Sequence, residues 1–191
     1  NVWDEQRVAA QTLSDVLDSH PNVCDSFEEV SDGVDLVFIA DCNGDGSDHL
    51  RLALPGLEKG VATFIDKPLA NEVGDVNAIL AAAKKSGAPV FSASILRHIS
   101  GAFQFRSRLP EVGRVESGFI RGSGLTMAGQ IHAVSLAQAV FGAGIQEVRV
   151  MGPEEMGVVH LSWGGRDDRP GAGVVIHQGV REMWHCSYHV S

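Results

Sequence analysis

Val61-Ala62-Thr63-Phe64-Ile65-Asp66-Lys67-Pro68 decides the fold: a short strand of the kind buried in a sheet, closed by a lysine-proline turn. Pro68 has no N–H to give to a ladder, so the strand cannot run through it. Upstream, residues 34–40 (Val-Asp-Leu-Val-Phe-Ile-Ala) form a near-continuous apolar run, the pattern of a strand covered on both faces. Between the two strands Leu50, Leu54 and Leu57 share one helical face, which Pro55 and Gly56 must distort and Gly60 ends. Downstream, Asn71 can cap a helix carrying Val76, Ile79, Leu80 and Ala83, with Gly87 as its terminator, and residues 89–94 read as the next strand. Ahead of everything, residues 5–20 place Val8, Ala9, Leu13, Val16 and Leu17 on one helical face that Pro21 closes. Strand and helix alternating at this spacing predict a parallel sheet with crossover helices, an α/β layered domain.

From about Ile95 the pattern changes. Residues 115–120 alternate like a half-exposed strand, 131–141 read as a helix, and 145–151, 158–163, 172–178 and 183–190 are strand candidates. The polar stretch 164–171 between two of them is a hairpin turn. One helix followed by several antiparallel strands predicts an α+β domain with a mostly antiparallel open sheet. The expected division is therefore 1–95, an α/β domain with a parallel sheet, and 96–191, an α+β domain.

The 191 residues are 44% hydrophobic and 20% charged, which suits one or two small domains with buried cores. No stretch approaches the roughly 18 consecutive apolar residues of a membrane span. A formal net charge of −9, without a Lys/Arg stripe, argues against nucleic acid as a partner. Cys24, Cys42 and Cys186 are odd in number and widely spaced, which fits free thiols in a reducing compartment such as the cytoplasm.

Ligands of open α/β sheets bind beyond the carboxyl ends of the strands, where Lys67 sits. Lys67 reads either as a solvated loop lysine or as a donor that stabilises a substrate alkoxide. Asp4, after the strand-like Val2-Trp3, reads as a helix cap or as the acidic group that binds a cofactor ribose. Arg7 reads as a solvated residue or as a partner for a 2′-phosphate. Asp41-Cys42-Asn43-Gly44-Asp45-Gly46 opens like a calcium loop, yet its twelfth position is Leu52 instead of a carboxylate, and it follows a strand. It reads better as a polar loop at a strand's carboxyl end, entering a helix at about residues 47–49. His185 and His189 share a strand face, but no third zinc ligand is apparent, so no metal is expected. His132, after Gly122-Ser123-Gly124 and Gly129, opens a helix and reads as a packed histidine or as a general base.

Taken in order, these segments resemble the glucose–fructose oxidoreductase / inositol dehydrogenase / MocA family (Gfo/Idh/MocA). The residues that carry the likeness are the strand 34–40, His49, Leu57-Glu58-Lys59-Gly60, Phe64-Ile65-Asp66-Lys67-Pro68-Leu69-Ala70, Ser94-Ile95-Leu96-Arg97 and Gly129-Gln130-Ile131-His132-Ala133-Val134 through Phe141-Gly142. The resemblance implies that 1–95 is a partial Rossmann-type domain that binds NAD or NADP, that 96–191 is a partial α+β domain for substrate binding and oligomerisation, and that the protein is an oxidoreductase acting on a sugar, cyclitol or related polyol. It implies that Lys67 contacts the reacting hydroxyl and the nicotinamide, and that His132 moves the hydroxyl proton. It implies that Asp4, Ala40, Asp41, His49 and Asp66 border the cofactor and that Arg97 reaches the substrate. It also implies a homo-oligomer built on the open sheet.

Four departures qualify it. The family's G-x-G-x-x-G turn is not within this sequence, whose first residues correspond to the second strand, so weak dinucleotide binding by these 191 residues alone is expected. The last sheet strands are also expected beyond Ser191. Many members carry Asp four residues before the helix histidine, where this chain has Ala128, and the loop between Asp41 and His49 is longer than usual. The alternative expectation is a non-catalytic member serving as a ligand-binding or assembly module.

Overall fold

The computed structural model describes residues 1–40, 43–122, 127–152, 157–177 and 185–190. The chain divides into two compact units, Asn1–Ser92 and Ala93–Ser191. The first holds α1 (Arg7–Val16), a 3-10 turn (Phe27–Ser31), β1 (Leu36–Ile39), α2 (His49–Glu58), β2 (Ala62–Ile65), α3 (Val73–Ser86) and β3 (Val90–Phe91). The strands form a parallel sheet in the order β1-β2-β3, with Leu36 opposite Ala62 and Thr63 opposite Val90. This is the parallel α/β pattern that the alternation of elements predicts.

Side-chain alternation along the strands points Val37, Ile39, Thr63 and Ile65 inward. They join Ala53 and Leu57 of α2 and Ile79 and Ala83 of α3 in one core. Gly56 lets α2 come close to the sheet: a Cβ there would lie 3.2 Å from Thr63 Oγ1 and 3.3 Å from Val37 Cγ2. Gly87 ends α3 in the left-handed conformation at φ 78°, as expected for a terminating glycine.

Three expectations for this unit need correction. The strand 34–40 is covered on one face only: Leu36 and Phe38 are 58% and 66% exposed. A run with no polar gap does not reveal which side is covered. The apolar residues Val8, Leu13, Val16 and Leu17 of the first helix are also exposed, while Ala10 and Ser14 are buried. Small side chains at i and i+4 let the following segment lie close, and Ser14 Oγ donates to the Pro21 carbonyl at 2.7 Å. Finally, Glu72, in extended backbone, occupies the N-cap of α3 in place of Asn71, whose side chain hydrogen-bonds the Asp45 carboxylate.

The second unit begins with a 3-10 turn (Ile95–Arg97), α4 (Ser100–Arg108) and a further 3-10 turn (Leu109–Val112). β4 (Val115–Arg121), α5 (Met127–Phe141), β5 (Glu147–Met151), β6 (Val158–Ser162), β7 (Val174–His177) and β8 (His185–Val190) follow. The sheet order is β5-β6-β7-β4-β8, antiparallel throughout except for the parallel β4–β7 pair. The expected hairpin turn joins β6 to β7. α5 lays Ala133, Leu136, Ala137, Val140 and Phe141 against Ile120, Leu161, Val174 and Ile176. Gly118 makes room for this, since a Cβ on it would meet Phe141 Cζ at 2.6 Å and Val174 Cγ2 at 2.9 Å. Trp163, 1% exposed, donates its indole N–H to the Gly142 carbonyl at 3.0 Å and so satisfies a carbonyl at the end of α5. α4 had no counterpart in the sequence reading, and α5 starts at Met127, not at residue 131.

Candidate functional site

In the first unit the site is built at the carboxyl end of the parallel sheet. β2 ends at Ile65, and the Asp66 N–H donates to the Ile39 carbonyl at 2.9 Å, which carries the ladder one residue past the strand. Lys67 and Pro68 follow across a cis peptide bond, with Lys67 half-buried and Pro68 buried. His49, the first residue of α2 and fully buried, places its Nδ1 2.9 Å from the Pro68 carbonyl oxygen. A carbonyl only accepts, so Nδ1 carries the proton. Gly46 sits against the same turn at φ 77°, and a Cβ there would lie 2.9 Å from the Pro68 oxygen. The turn that presents Lys67 is thus held by a buried histidine and by a loop residue that must stay small.

Around it, Ala40 follows the end of β1 and is exposed. Asp41 and Cys42 lie outside the described residues, as do Ser123 and Gly124. Asp45 accepts the Ser47 N–H at 2.9 Å, and this bond holds its carboxyl below the usual range. Among the described residues, no group of three or more His, Cys, Asp or Glu stands together as metal ligands, and neither oxygen of buried Asp48 has a hydrogen-bond partner. Asp4 accepts the Gln6 N–H at 2.7 Å just ahead of α1, beside an isolated parallel bridge between Val2 and Val23. Arg7 pairs with Asp25 at 2.6 Å on the surface.

In the second unit, His132 is the sixth residue of α5 instead of its first, one turn beyond buried Ala128. Its Nδ1 lies 2.5 Å from Ser94 Oγ, and the Leu96 N–H donates to the same oxygen at 3.1 Å. Ser94 is 2% exposed and caps the 3-10 turn that follows it. Arg97, on that turn, directs its guanidinium to α5, with Nη1 3.3 Å from the Ser135 carbonyl and 3.4 Å from Gln138 Oε1. His185 and His189 lie on β8, in register with Arg121 and Ser117 of β4. Lys67 belongs to the first unit and His132 to the second. The sequence reading passed over Ser94 as a functional residue; its one local signal was a serine two residues before a turn amide, the pattern of a cap.

A parallel sheet with crossover helices, its second strand closed by a lysine-proline turn, has the layout of a Rossmann-type fold. Residues 1–94 match the family GFO_IDH_MocA, described as an oxidoreductase family with an NAD-binding Rossmann fold. That segment, close to half of the chain, thus matches the Gfo/Idh/MocA oxidoreductases, the family its motifs resemble.

Solved structures extend the likeness of fold over both units. UDP-N-acetylglucosamine 3-dehydrogenase GnnA from Acidithiobacillus ferrooxidans is 18% identical with a TM-score of 0.75, covering 98% of this chain and 64% of its own. The WlbA dehydrogenase from Bordetella pertussis, in complex with NADH and UDP-GlcNAcA, is 17% identical with a TM-score of 0.74, covering 94% and 62%. Biliverdin reductase from Synechocystis sp. PCC 6803, in complex with biliverdin and NADP+, is 16% identical with a TM-score of 0.73, covering 95% and 65%. This chain therefore spans less than two thirds of the length of these structures. No curated protein sequence matches it. Among the described residues, no helix is long and apolar enough to cross a membrane.

Proposed function

We propose that the protein is an NAD(P)-dependent oxidoreductase that exchanges a hydride with a hydroxyl or carbonyl carbon of a sugar, cyclitol or related polyol. One observation carries the reading: in a segment of an NAD-binding family, Lys67 stands at the carboxyl end of the sheet on a turn that a buried histidine holds from beneath. A positioned ammonium at such a place lowers the energy of a developing alkoxide.

The residues present fit part of a nicotinamide dinucleotide. Ala40, at the end of β1, adds no bulk beyond its Cβ, and Asp4 offers a carboxylate of the kind that binds ribose hydroxyls. Asp41, His49 and Asp66 belong to the same proposed border. The cofactor supplies the hydride chemistry, while the chain supplies orientation and charge. In this reading Lys67 binds the reacting oxygen, His132 moves the hydroxyl proton or shares its hydrogen bond, and Arg97 reaches the substrate from the 3-10 turn ahead of α4. The proposal includes a homo-oligomer, favoured by the exposed Val148 and Val150 of β5, and a cytoplasmic location, favoured by the unpaired thiols of Cys24 and Cys186.

The test is turnover of the full-length protein with NAD+ and NADP+ over a panel of sugars, polyols and nucleotide sugars. Lys67→Ala should lower kcat by about 10²–10³-fold, the loss usual for one preorganised donor. An unchanged kcat would overturn the assignment. A non-catalytic member remains the second reading, favoured by Ala128, and it predicts ligand binding without turnover on any substrate of the panel.

A further inference from the structure

We propose that Ser94 is the positioning residue of His132 and holds its imidazole as the Nε2–H tautomer. This deepens the reading of His132 given above and rests on it. Ser94 Oγ already accepts the Leu96 N–H at 3.1 Å, and its other contact is His132 Nδ1 at 2.5 Å. If Nδ1 carried the proton, two N–H groups would converge on the hydroxyl oxygen. The hydroxyl proton would then have no acceptor among the described residues, at a site only 2% exposed. If the hydroxyl donates to Nδ1, both the serine and Nδ1 are satisfied. The neutral ring then carries its proton on Nε2.

The consequence is chemical. A histidine held in this tautomer meets a substrate oxygen as an N–H donor that polarises a carbonyl, a role known for neutral imidazoles in enzymes. It does not meet it as a lone pair waiting for a proton. Ser94 lies 38 residues from His132 in sequence and supplies the ring with a partner where Ala128 has no polar side chain.

The experiment is 15N spectroscopy of the imidazole nitrogens in the full-length protein, with steady-state kinetics alongside. Wild type should show a pyrrole-type Nε2 and a pyridine-type Nδ1 for His132. Ser94→Ala should mix the tautomers and lower kcat about tenfold, within what a positioned proton-handling group contributes, with KM changed by less than about twofold. Ser94→Thr, which keeps the hydroxyl, should restore both. A wild-type Nδ1–H tautomer overturns the proposal without recourse to any variant, and so does a Ser94→Ala spectrum identical to wild type. If Ser94→Ala shifts the tautomer and kcat stays unchanged, the hold of Ser94 on the ring stands. In that case the reading of His132 as a substrate group falls.

Discussion

His49 donates its Nδ1 proton to the Pro68 carbonyl across 2.9 Å of fully buried space, tying the first turn of α2 to the turn that presents Lys67. The histidine reading the family resemblance offered, a residue bordering the cofactor, is thus accompanied by a structural duty.

That duty predicts a stability effect separable from catalysis. His49→Ala removes a donor from a buried carbonyl and leaves a cavity, a combined cost of about 2–4 kcal/mol. Urea unfolding should show a lower midpoint with the slope unchanged. A loss below about 0.5 kcal/mol would mean that the turn is held by other contacts.

Two glycines should respond to alanine in opposite directions. Gly118→Ala drives a methyl into Phe141 and Val174, both buried, and should cost about 1–3 kcal/mol through overpacking. Gly101, inside α4, has nothing within 4 Å of its virtual Cβ, so Gly101→Ala should stabilise by about 0.5–1 kcal/mol. Thermal unfolding of both variants against wild type checks the pair, and equal shifts would contradict it.

Cys186 gives a pH prediction. Burial pushes its thiol from the ordinary value of 9.0 up to about 12. Below pH 9.0 the thiol is protonated both folded and unfolded, so its contribution to stability is constant there. Between 9.0 and about 12 only the unfolded chain releases the proton, so stability falls as pH rises through this window. Cys186→Ser should flatten that part of the profile measured by urea unfolding. In the native wild type, iodoacetamide at pH 8 should leave Cys186 largely unmodified until denaturant is added.

Much of the fold was legible because its signals are local. The apolar cores of β1, β2 and β6 stand as runs in the sequence, and Gly87 marks the end of α3 by its own backbone requirement. What was not legible depends on partners distant in sequence. Leu36 and Phe38 look as buried as Val37 and Ile39 until the helices show which face they cover. α4 escaped because its apolar residues, Ala102, Phe103 and Phe105, form no stripe, and only Ala102 is fully buried. In the site, Lys67 could be found from the strand and proline beside it. The contact between Ser94 and His132 leaves no trace in residue spacing, because 38 residues that include α4 and β4 separate them.

The aromatic rings on the outer face of the parallel sheet have a consequence for assembly of the strands. Phe38 stacks on Phe64 at 4.4 Å and 13°, and Phe64 leans on Phe91 at 5.7 Å. Each pair consists of direct neighbours in the ladder, Phe38 opposite Phe64 and Phe64 opposite Phe91. A slip of one residue would turn one ring of a pair toward the face that Val37, Ile39, Thr63 and Ile65 occupy, where there is no space for it. The three phenylalanines therefore work as an alignment key. They admit one pairing of β1, β2 and β3, and with it one position for the end of β2 from which Lys67 projects.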